Sequence, residues 1–347
     1  MIDFRYHLVS IVAVFLALAI GIVLGSTELQ GPVYNILSHT TSSLQGQLAN
    51  VSSQRAQLEQ EANADDEFIQ ANETQLLAGK LTDQRIAIIA EPGAQPSVVS
   101  GIIAAARVAG ATVTDQINLT NKFFDGSNTT ADTLISMNSS LAQSAGIQLD
   151  SSSASPQAGA ATVLASEILT KAVASGGTEQ SDSTTTTSTD AQSALQSYAG
   201  AGFLQTNGGV SAQQATLAVI VTPQTIPADG SADNLAQYLG PFTQALAKVN
   251  NTPTVVVGSA AGSVAGSPIA VLRGTGVASQ VSTVDDADTL RGQIVAMETL
   301  LVELSGGSAG SYGIDSGSPD PSITPSPSAT ASASSSPSTD PSKKPKK

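Results

Sequence analysis

The 347-residue chain contains no cysteine and no tryptophan, and only two histidines and three methionines. The lack of cysteine excludes disulfides, zinc–thiolate sites, iron–sulfur clusters and cysteine nucleophiles. Fourteen Lys and Arg residues stand against 28 Asp and Glu, which gives a formal net charge of −14. Because the chain is this acidic, it offers no basic face for phosphates, and nucleic-acid binding is excluded. Carboxylates, hydroxyls and backbone groups remain for any chemistry.

One long apolar run lies near the N-terminus. It extends from Leu8 to Leu24 without a charged residue and includes Val14 and Leu18. At about 1.5 Å per residue it spans roughly 26 Å, close to the ~30 Å hydrocarbon core of a bilayer. Arg5 precedes the run, and no Lys or Arg follows it before position 55. The pattern predicts a single-pass anchor over residues 8–25 in the cell membrane, with residues 1–7 cytoplasmic and the C-terminal domain extracytoplasmic.

Two other interpretations of this run remain open. A cleaved signal peptide would use the small residues around Ala17-Leu18-Ala19, although apolar residues continue past that point to Leu24. A buried helix of a globular domain is the other alternative, but the run has no polar face to present to water.

Residues 33–81 have the heptad spacing of a coiled-coil stalk, after a predicted break at Gly31-Pro32. The predicted seam consists of Leu37, Leu44, Leu48, Val51, Leu58, Ile69 and Leu76. Asp65 and Asn72 occupy seam positions where apolar residues are expected, so the seam weakens midway. A narrow apolar stripe needs a cover, and we expect self-association of the stalk into a homo-oligomer. A single helix that folds against its own distal domain is the alternative.

Residues 82–304 alternate between short apolar runs and amphipathic segments. The predicted strands are residues 84–90, 111–114, 217–221, 254–257 and 281–284, and the predicted helices are 96–109, 131–145, 159–174, 190–199, 233–249 and 290–304. Strands that alternate with helices predict an α/β fold with a doubly wound parallel sheet, of Rossmann-like type. A polar, low-complexity insertion at 176–190 is predicted to be mobile, and residues 305–347 are predicted to be a disordered Ser/Pro tail with a basic end.

The sequence contains no recognisable catalytic constellation. His7 and His39 lie at the membrane segment and on the stalk, away from the α/β domain, so a Ser-His-Asp hydrolase is excluded. No P-loop motif occurs, and the small-residue loop Gly258–Gly266 does not match a dinucleotide-binding fingerprint. We therefore expect a protein that is not an enzyme.

Two acidic segments are the candidates for a surface cleft or a partner contact. Glu91-Pro92-Gly93 follows the first strand, at the end where open α/β sheets place ligands, although an exposed turn is the simpler interpretation. Asp285, Asp286 and Asp288 follow the last predicted strand and precede a helix. They are expected either to cap that helix or to contact a hard cation or a partner.

Metal-ligating residues are scarce. Cu(I) prefers thiolate or thioether ligands and Cu(II) prefers imidazole, but the methionines are far apart in sequence and Met297 belongs to an apolar helix stripe. The residues therefore predict no metal site and no cofactor within one chain.

The opening residues Met1-Ile2-Asp3-Phe4-Arg5-Tyr6-His7-Leu8-Val9-Ser10, with the apolar span that follows, resemble the actinobacterial copper transporter family (MctB-like). The strand Arg85–Ala90 and the segment Ser282–Thr289 resemble the same family, and the resemblance covers most of residues 1–304. It implies an N-terminally anchored envelope protein of copper transport or homeostasis, with a pore-forming role. It also implies a link to cell-wall hydrolysis through an envelope or cell-division partner.

Three hypotheses follow. The resemblance favours a copper-transport protein that limits intracellular copper. The residue patterns favour a non-enzymatic, membrane-tethered scaffold that regulates an envelope partner such as a cell-wall hydrolase, because one apolar helix cannot enclose a water path. An enzyme that uses the carboxylates near Glu91 or Asp285 is the third.

Overall fold

The computed structural model describes residues 4–149, 155–170, 188–207, 213–224, 231–259 and 267–314. Contacts within the chain separate it into two units, Met1–Glu67 and Phe68–Lys347. Most of the predicted insertion (176–187) and most of the predicted tail (315–347) lie outside the described residues.

Helix α1 extends without interruption from Phe4 to Leu77, over 74 residues. The predicted break at Gly31-Pro32 is therefore wrong. A proline removes one backbone hydrogen bond but already has the φ angle of a helix, and the helical segments on both sides continue across it. The predicted stalk end at residue 81 is also too late, because the helix stops at Leu77 and turns follow, with φ +74° at Gly79.

Residues Tyr6–Gly25 of α1 are long and apolar enough to cross a membrane, with a mean hydropathy of 2.9. None of this segment is buried within the protein. The four residues named above for the predicted span are 55–65% exposed: Leu8, Val14, Leu18 and Leu24. These properties fit membrane association. A signal sequence has the same length and composition, so retention of the segment as an anchor and its orientation stay predictions.

The second unit contains a seven-stranded sheet. Its strands are β1 (Arg85–Ala90), β2 (Thr112–Leu119), β3 (Leu204–Thr206), β4 (Leu217–Val221), β5 (Thr254–Val257), β6 (Ser282–Val284) and β7 (Ser311–Tyr312). They lie in the order β3-β2-β1-β4-β5-β6-β7. Every neighbouring pair is parallel except β2 and β3, which are antiparallel. The predicted parallel-dominated α/β sheet is confirmed.

Alternate residues of the central strands face two separate cores. Ile86 and Ile88 of β1 belong to one, here called the second core, whereas Ala87 and Ile89 belong to the other, the first core. The same alternation runs along β4 and β5. Both faces of the sheet are therefore covered, which explains why these strands are continuous apolar runs rather than alternating ones.

Seven further helices are described in the second unit. They are α2 (Pro96–Val108), α3 (Asn128–Ala145), α4 (Pro156–Ile168), α5 (Ser188–Gly200), α6 (Ser231–Lys248), α7 (Pro268–Arg273) and α8 (Leu290–Leu304). Helices α2 and α8 contribute to the second core, and α3 to α7 contribute to the first core. Helices on both faces of a parallel sheet confirm the doubly wound arrangement.

The structure adds three elements that the sequence patterns did not predict. Strand β3 and strand β7 are edge strands of three and two residues, and α7 has six residues. Because Ser311–Tyr312 pairs with β6, the predicted domain end at residue 304, with a tail from 305, is wrong. Tyr312 packs against the second core, which gives this short segment a fixed place.

Candidate functional site at the carboxyl edge of the sheet

The carboxyl ends of four strands place one residue each in a row across the sheet. Ala90 pairs with Val221, Val221 with Val257, and Val257 with Val284. The next residue after each strand continues this register: Glu91, Thr222, Gly258 and Asp285. We call these four residues the edge row. Backbone hydrogen bonds of 2.9 Å from Glu91 N, Thr222 N and Gly258 N to the neighbouring strands hold the row together. The strand order reverses between β1 and β4, which is where open α/β sheets bind ligands.

The edge row brings the two predicted acidic segments to the same side of the sheet. Glu91 and Asp285 are three strands apart, which at roughly 4.8 Å per strand is about 14 Å. The two carboxyl groups therefore share one edge but do not form one cluster.

Glu91 is a buried carboxyl group without a polar partner. It is 3% exposed, and neither Oε1 nor Oε2 has a hydrogen bond. Its interpretation as an exposed turn residue is therefore wrong. Burial raises the pKa of Glu91 from 4.5 to about 8, because an apolar environment disfavours the charged form. At neutral pH the group is a neutral acid that can donate a hydrogen bond.

The turn after Glu91 is tied to the loop that follows β4. Gly93 has a φ of +82°, and a Cβ on it would lie 3.3 Å from Pro223 Cβ, so glycine fits this position. Ala94 forms an isolated β-bridge with Pro223, and Gln95 Nε2 donates to Gln224 Oε1 at 2.7 Å. Pro92 is half-buried and Gly93 is exposed. This turn therefore covers the end of β1 and keeps water from Glu91.

A depression of about 150 Å³ lies at the ends of β4 and β5. It is lined by Thr222, Pro223, Gly258, Ser259, Ser267, Pro268 and Ile269. Ser259 is 4% exposed, and its Oγ has no hydrogen-bond partner. Because this volume includes open solvent, the depression encloses essentially no space of its own, whereas typical small-molecule sites enclose roughly 300–1,000 Å³. Its described part therefore offers one free hydroxyl group but does not enclose a ligand.

Asp285 is engaged in a buried ion pair rather than facing solvent. Its Oδ2 lies 2.7 Å from Arg273 Nη1, and the two side chains are 2% and 9% exposed. Its Oδ1 accepts a hydrogen bond from Ile314 N at 2.8 Å. Asp285 therefore holds α7 and the chain after β7 onto the sheet.

Asp286 and Asp288 differ from each other in burial. Asp286 is buried, forms an ion pair with Arg291 and has one oxygen, Oδ1, without a partner. Burial raises the pKa of Asp286, and the nearby Arg291 opposes that rise. Asp288 is exposed. The N-cap of α8 is Thr289, whose side chain accepts from Gly292 N at 3.1 Å, so none of these aspartates is the cap residue.

The residues that could ligate a soft metal do not converge in the described part of the chain. No group of three or more His, Cys, Asp or Glu side chains that could hold a metal occurs among the described residues. His7 and His39 both lie on α1. Met297 is buried in the second core, as its helix stripe predicts, and Met137 packs against the first core. The described carboxyl edge can therefore donate and accept hydrogen bonds but does not present a copper ligand set.

Three residues of this region escaped sequence reasoning. Arg273 and Ser259 lie in segments that carry no motif, and Glu303 continues the polar side of an ordinary amphipathic helix. Glu303 is half-buried and accepts hydrogen bonds from Ser282 Oγ and, at 3.0 Å, from Thr254 N. One sequence signal pointed to the helix that carries Arg273. Ser267-Pro268 predicts a helix start, because a serine before a proline is typical of the first residues of a helix.

Known proteins resemble the chain over most of its length. A family model described as "Copper transport outer membrane protein, MctB" matches residues 1–322. Proteins named copper transporter MctB from Mycobacterium tuberculosis and Mycobacterium bovis are 27% identical over 326 residues, which is 93% of this chain and 100% of theirs. The protein of that name from Mycobacterium leprae is 29% identical over 330 residues, which is 93% of this chain and 99% of its own.

Proposed function

This chain belongs to the family of MctB copper transport outer membrane proteins, and we propose that it acts in copper transport or copper homeostasis at a membrane. The observation that carries the proposal is the match to the family model over residues 1–322. Relatives named as copper transporters align with nearly their whole length, which supports the same assignment. Copper is the cargo in this proposal, not a resident cofactor.

The proposal places the chain in the membrane through Tyr6–Gly25. The exposure and hydropathy of this segment support it, since a soluble protein would have to cover twenty such residues. Arg5 is the flanking positive charge, so the N-terminus is cytoplasmic and the second unit lies on the other side.

In the proposal, the chain contributes to copper handling without a catalytic centre of its own. The edge row holds carboxyl and hydroxyl groups, and neither histidine belongs to the second unit. A single apolar helix cannot enclose a path for an ion, because a lipid-exposed helix has no second wall. Copper movement therefore requires further copies of this chain or a separate channel protein.

Copper content of cells tests the proposal. Deletion of the encoding gene is expected to raise cell-associated copper, measured by mass spectrometry of washed cells, and to lower the copper concentration that stops growth. The full-length chain restores both values. A Leu16→Arg/Val23→Arg variant fails to restore them, because charges in the span oppose insertion. A Gln47→Arg/Gln60→Arg variant, with the same charges on the exposed stalk, restores them. Unchanged copper content in the deletion strain would contradict the proposal.

Cysteine labelling tests the orientation of the chain in the membrane. Since the natural chain has no cysteine, only the introduced residue can react. Glu59→Cys, at an exposed position of α1, is expected to react with a membrane-impermeant maleimide in intact cells. Asp3→Cys is expected to react only after lysis. The opposite labelling pattern would reverse the proposed topology.

A further inference from the structure

Helix α1 carries a row of exposed apolar side chains beyond the membrane segment. The large residues of this row are 53–69% exposed: Leu44, Leu48, Val51 and Leu58. Their spacing is four, three and seven residues. This is the a/d pattern of a heptad, in which Leu48 is an a position and the other three residues are d positions. We call Thr41–Ala62, the stretch that contains this row, the exposed seam.

The period of the seam indicates the kind of surface that covers it. A helix that packs on a globular core has a broad apolar face at about 3.6 residues per repeat, whereas a repeat of 3.5 keeps a narrow line facing one other helix. Polar residues flank the line, as in the hydrogen bond of 2.9 Å that Gln57 Nε2 donates to Glu61 Oε1. The seam therefore fits another helix rather than a folded domain.

The predicted seam divides into two parts with different roles. Ile69 is half-buried and packs against the second core, and Leu77 is fully buried there. The C-terminal turns of α1 are thus used within the chain itself, which corrects the prediction for Ile69. Leu44 to Leu58, in contrast, have no apolar cover. Leu76 is 41% exposed, and the side chain of Leu37 lies outside the described ones.

A second copy of this chain is the partner that the helix itself specifies. Every copy carries Tyr6–Gly25 on the same helix, at the N-terminal end of the seam. Two copies anchored in one membrane leave it in the same direction, so identical seams meet in parallel and in register. An antiparallel pair would place the two membrane segments at opposite ends.

We propose that residues Thr41–Ala62 pair with the same residues of a second copy in a parallel, in-register coiled-coil dimer. Apolar layers form at Leu44, Leu48, Val51 and Leu58. The layer at Arg55 interrupts them, because this a-position side chain is 80% exposed and charged. Asp65 at the following d position ends the seam before α1 begins to pack on the second core at Ile69. The parallel arrangement rests on the proposed membrane anchoring through Tyr6–Gly25, but the pairing does not depend on the proposed copper function.

Single-cysteine cross-linking of the full-length chain in native membranes tests the pairing, since the natural chain contributes no thiol of its own. Leu44→Cys and Val51→Cys, at d positions, are expected to give covalent dimers under mild oxidation, because facing d residues lie within disulfide distance. Ser53→Cys and Gln60→Cys, on the outer face at f, are the matched controls and are expected to remain largely monomeric.

Each alternative outcome is distinct. Equal yields at d and f positions would indicate random collision and overturn the proposal, as would an absence of dimers at both d positions. Dimers at Val51→Cys without dimers at Leu44→Cys, together with cross-links between Leu44→Cys and Leu58→Cys, would indicate an antiparallel pair and overturn the parallel arrangement.

A gain-of-stability variant provides a second measurement. Arg55→Leu completes the seam and is expected to lower the dimer dissociation constant in detergent about tenfold or more. Gln60→Leu adds the same side chain on the outer face and is expected to leave the constant unchanged. An equal effect of the two variants would contradict the assignment of Arg55 to the seam.

Discussion

Arg273 Nη1 lies 2.7 Å from Asp285 Oδ2, and both side chains are almost completely buried. The same guanidinium donates through Nε to Thr283 Oγ1 and through Nη2 to Tyr312 O, both at 2.9 Å. A planar group with several fixed donors thus joins α7 to the last two strands. Sequence patterns made Asp285 a functional candidate. In this structure Asp285 instead holds α7 and the last strands together.

Loss of the Arg273 side chain is expected to destabilise the second unit strongly. Arg273→Met keeps much of the side-chain volume but leaves Asp285 buried without its charge partner, which costs on the order of 3–5 kcal/mol. Thermal unfolding followed by circular dichroism measures the loss. Lys80→Met is the control, since the Lys80–Glu298 pair is partly exposed and worth about 1 kcal/mol or less. Equal losses in the two variants would contradict this role of Arg273.

Stability is expected to depend on pH through Glu91. Its pKa is about 8 in the folded protein against an ordinary value of 4.5, so the folded state holds a proton that the unfolded state releases between these values. Stability therefore falls as pH rises from 4.5 to about 8, by a few kcal/mol, on the order of 1.4 kcal/mol per pKa unit. Glu91→Gln has no titrating carboxyl group and is expected to keep its stability over this pH range. The difference in stability between Glu91→Gln and the natural chain is therefore expected to grow from pH 4.5 to about 8.

Unfolding temperatures measured at several pH values test this expectation. Asp288→Asn, at an exposed position, serves as the control and is expected to follow the natural chain. An advantage of Glu91→Gln that is the same at pH 5 and pH 8 would contradict a titrating Glu91.

A side chain at position 258 is expected to destabilise the fold. A Cβ at this position would lie 2.7 Å from Ile269 Cδ1 and 2.8 Å from Thr222 Oγ1. Gly258→Ala is therefore expected to cost about 1–3 kcal/mol through overpacking. Ile269→Val removes the nearer atom, so the double variant should be less destabilised than the sum of the two single variants. Gly276→Ala, which has open space, is expected to have little effect.

Tyr198 and Asn138 connect helices α5, α3 and α4 through two hydrogen bonds. The Tyr198 hydroxyl donates to Asn138 Oδ1 at 2.7 Å, and Asn138 Nδ2 donates to Pro156 O at 2.8 Å. Tyr198→Phe leaves the Asn138 carbonyl unpaired in the first core and is expected to cost about 1–3 kcal/mol. The Tyr198→Phe/Asn138→Leu double variant has no unpaired amide carbonyl at this position. If it loses no more stability than Tyr198→Phe alone, the unpaired amide is the cause of the loss.

The central strands could be predicted from the sequence because each one is buried on both faces. Leu217–Val221 and Thr254–Val257 are continuous apolar runs that end at a proline or glycine signal, and the structure has strands with these same bounds. The edge strands β3 and β7 could not be predicted in this way. Two or three residues show no period, and their pairing depends on neighbours that are distant in sequence.

The candidate site was predicted by position but not by environment. The placement of Glu91 at the end of β1 follows from local pattern, whereas its burial depends on a turn that closes against Pro223, 132 residues later. In the same way, Asp285 was visible as one of three aspartates, but its partner Arg273 belongs to a helix of six residues, too short to show a period. Long-range contacts thus decided which carboxyl groups are buried, paired or exposed.

The two residues of β7 determine where this polypeptide can be shortened. A truncation after Leu304 deletes Tyr312 and Ile314, so Arg273 loses an acceptor, Asp285 loses a donor and the edge of β6 becomes free. A bare strand edge is a template for intermolecular pairing, and such a fragment would aggregate. A truncation after Ile314 keeps every one of these bonds and leaves β6 paired with β7, which makes it the shorter chain that retains the whole sheet.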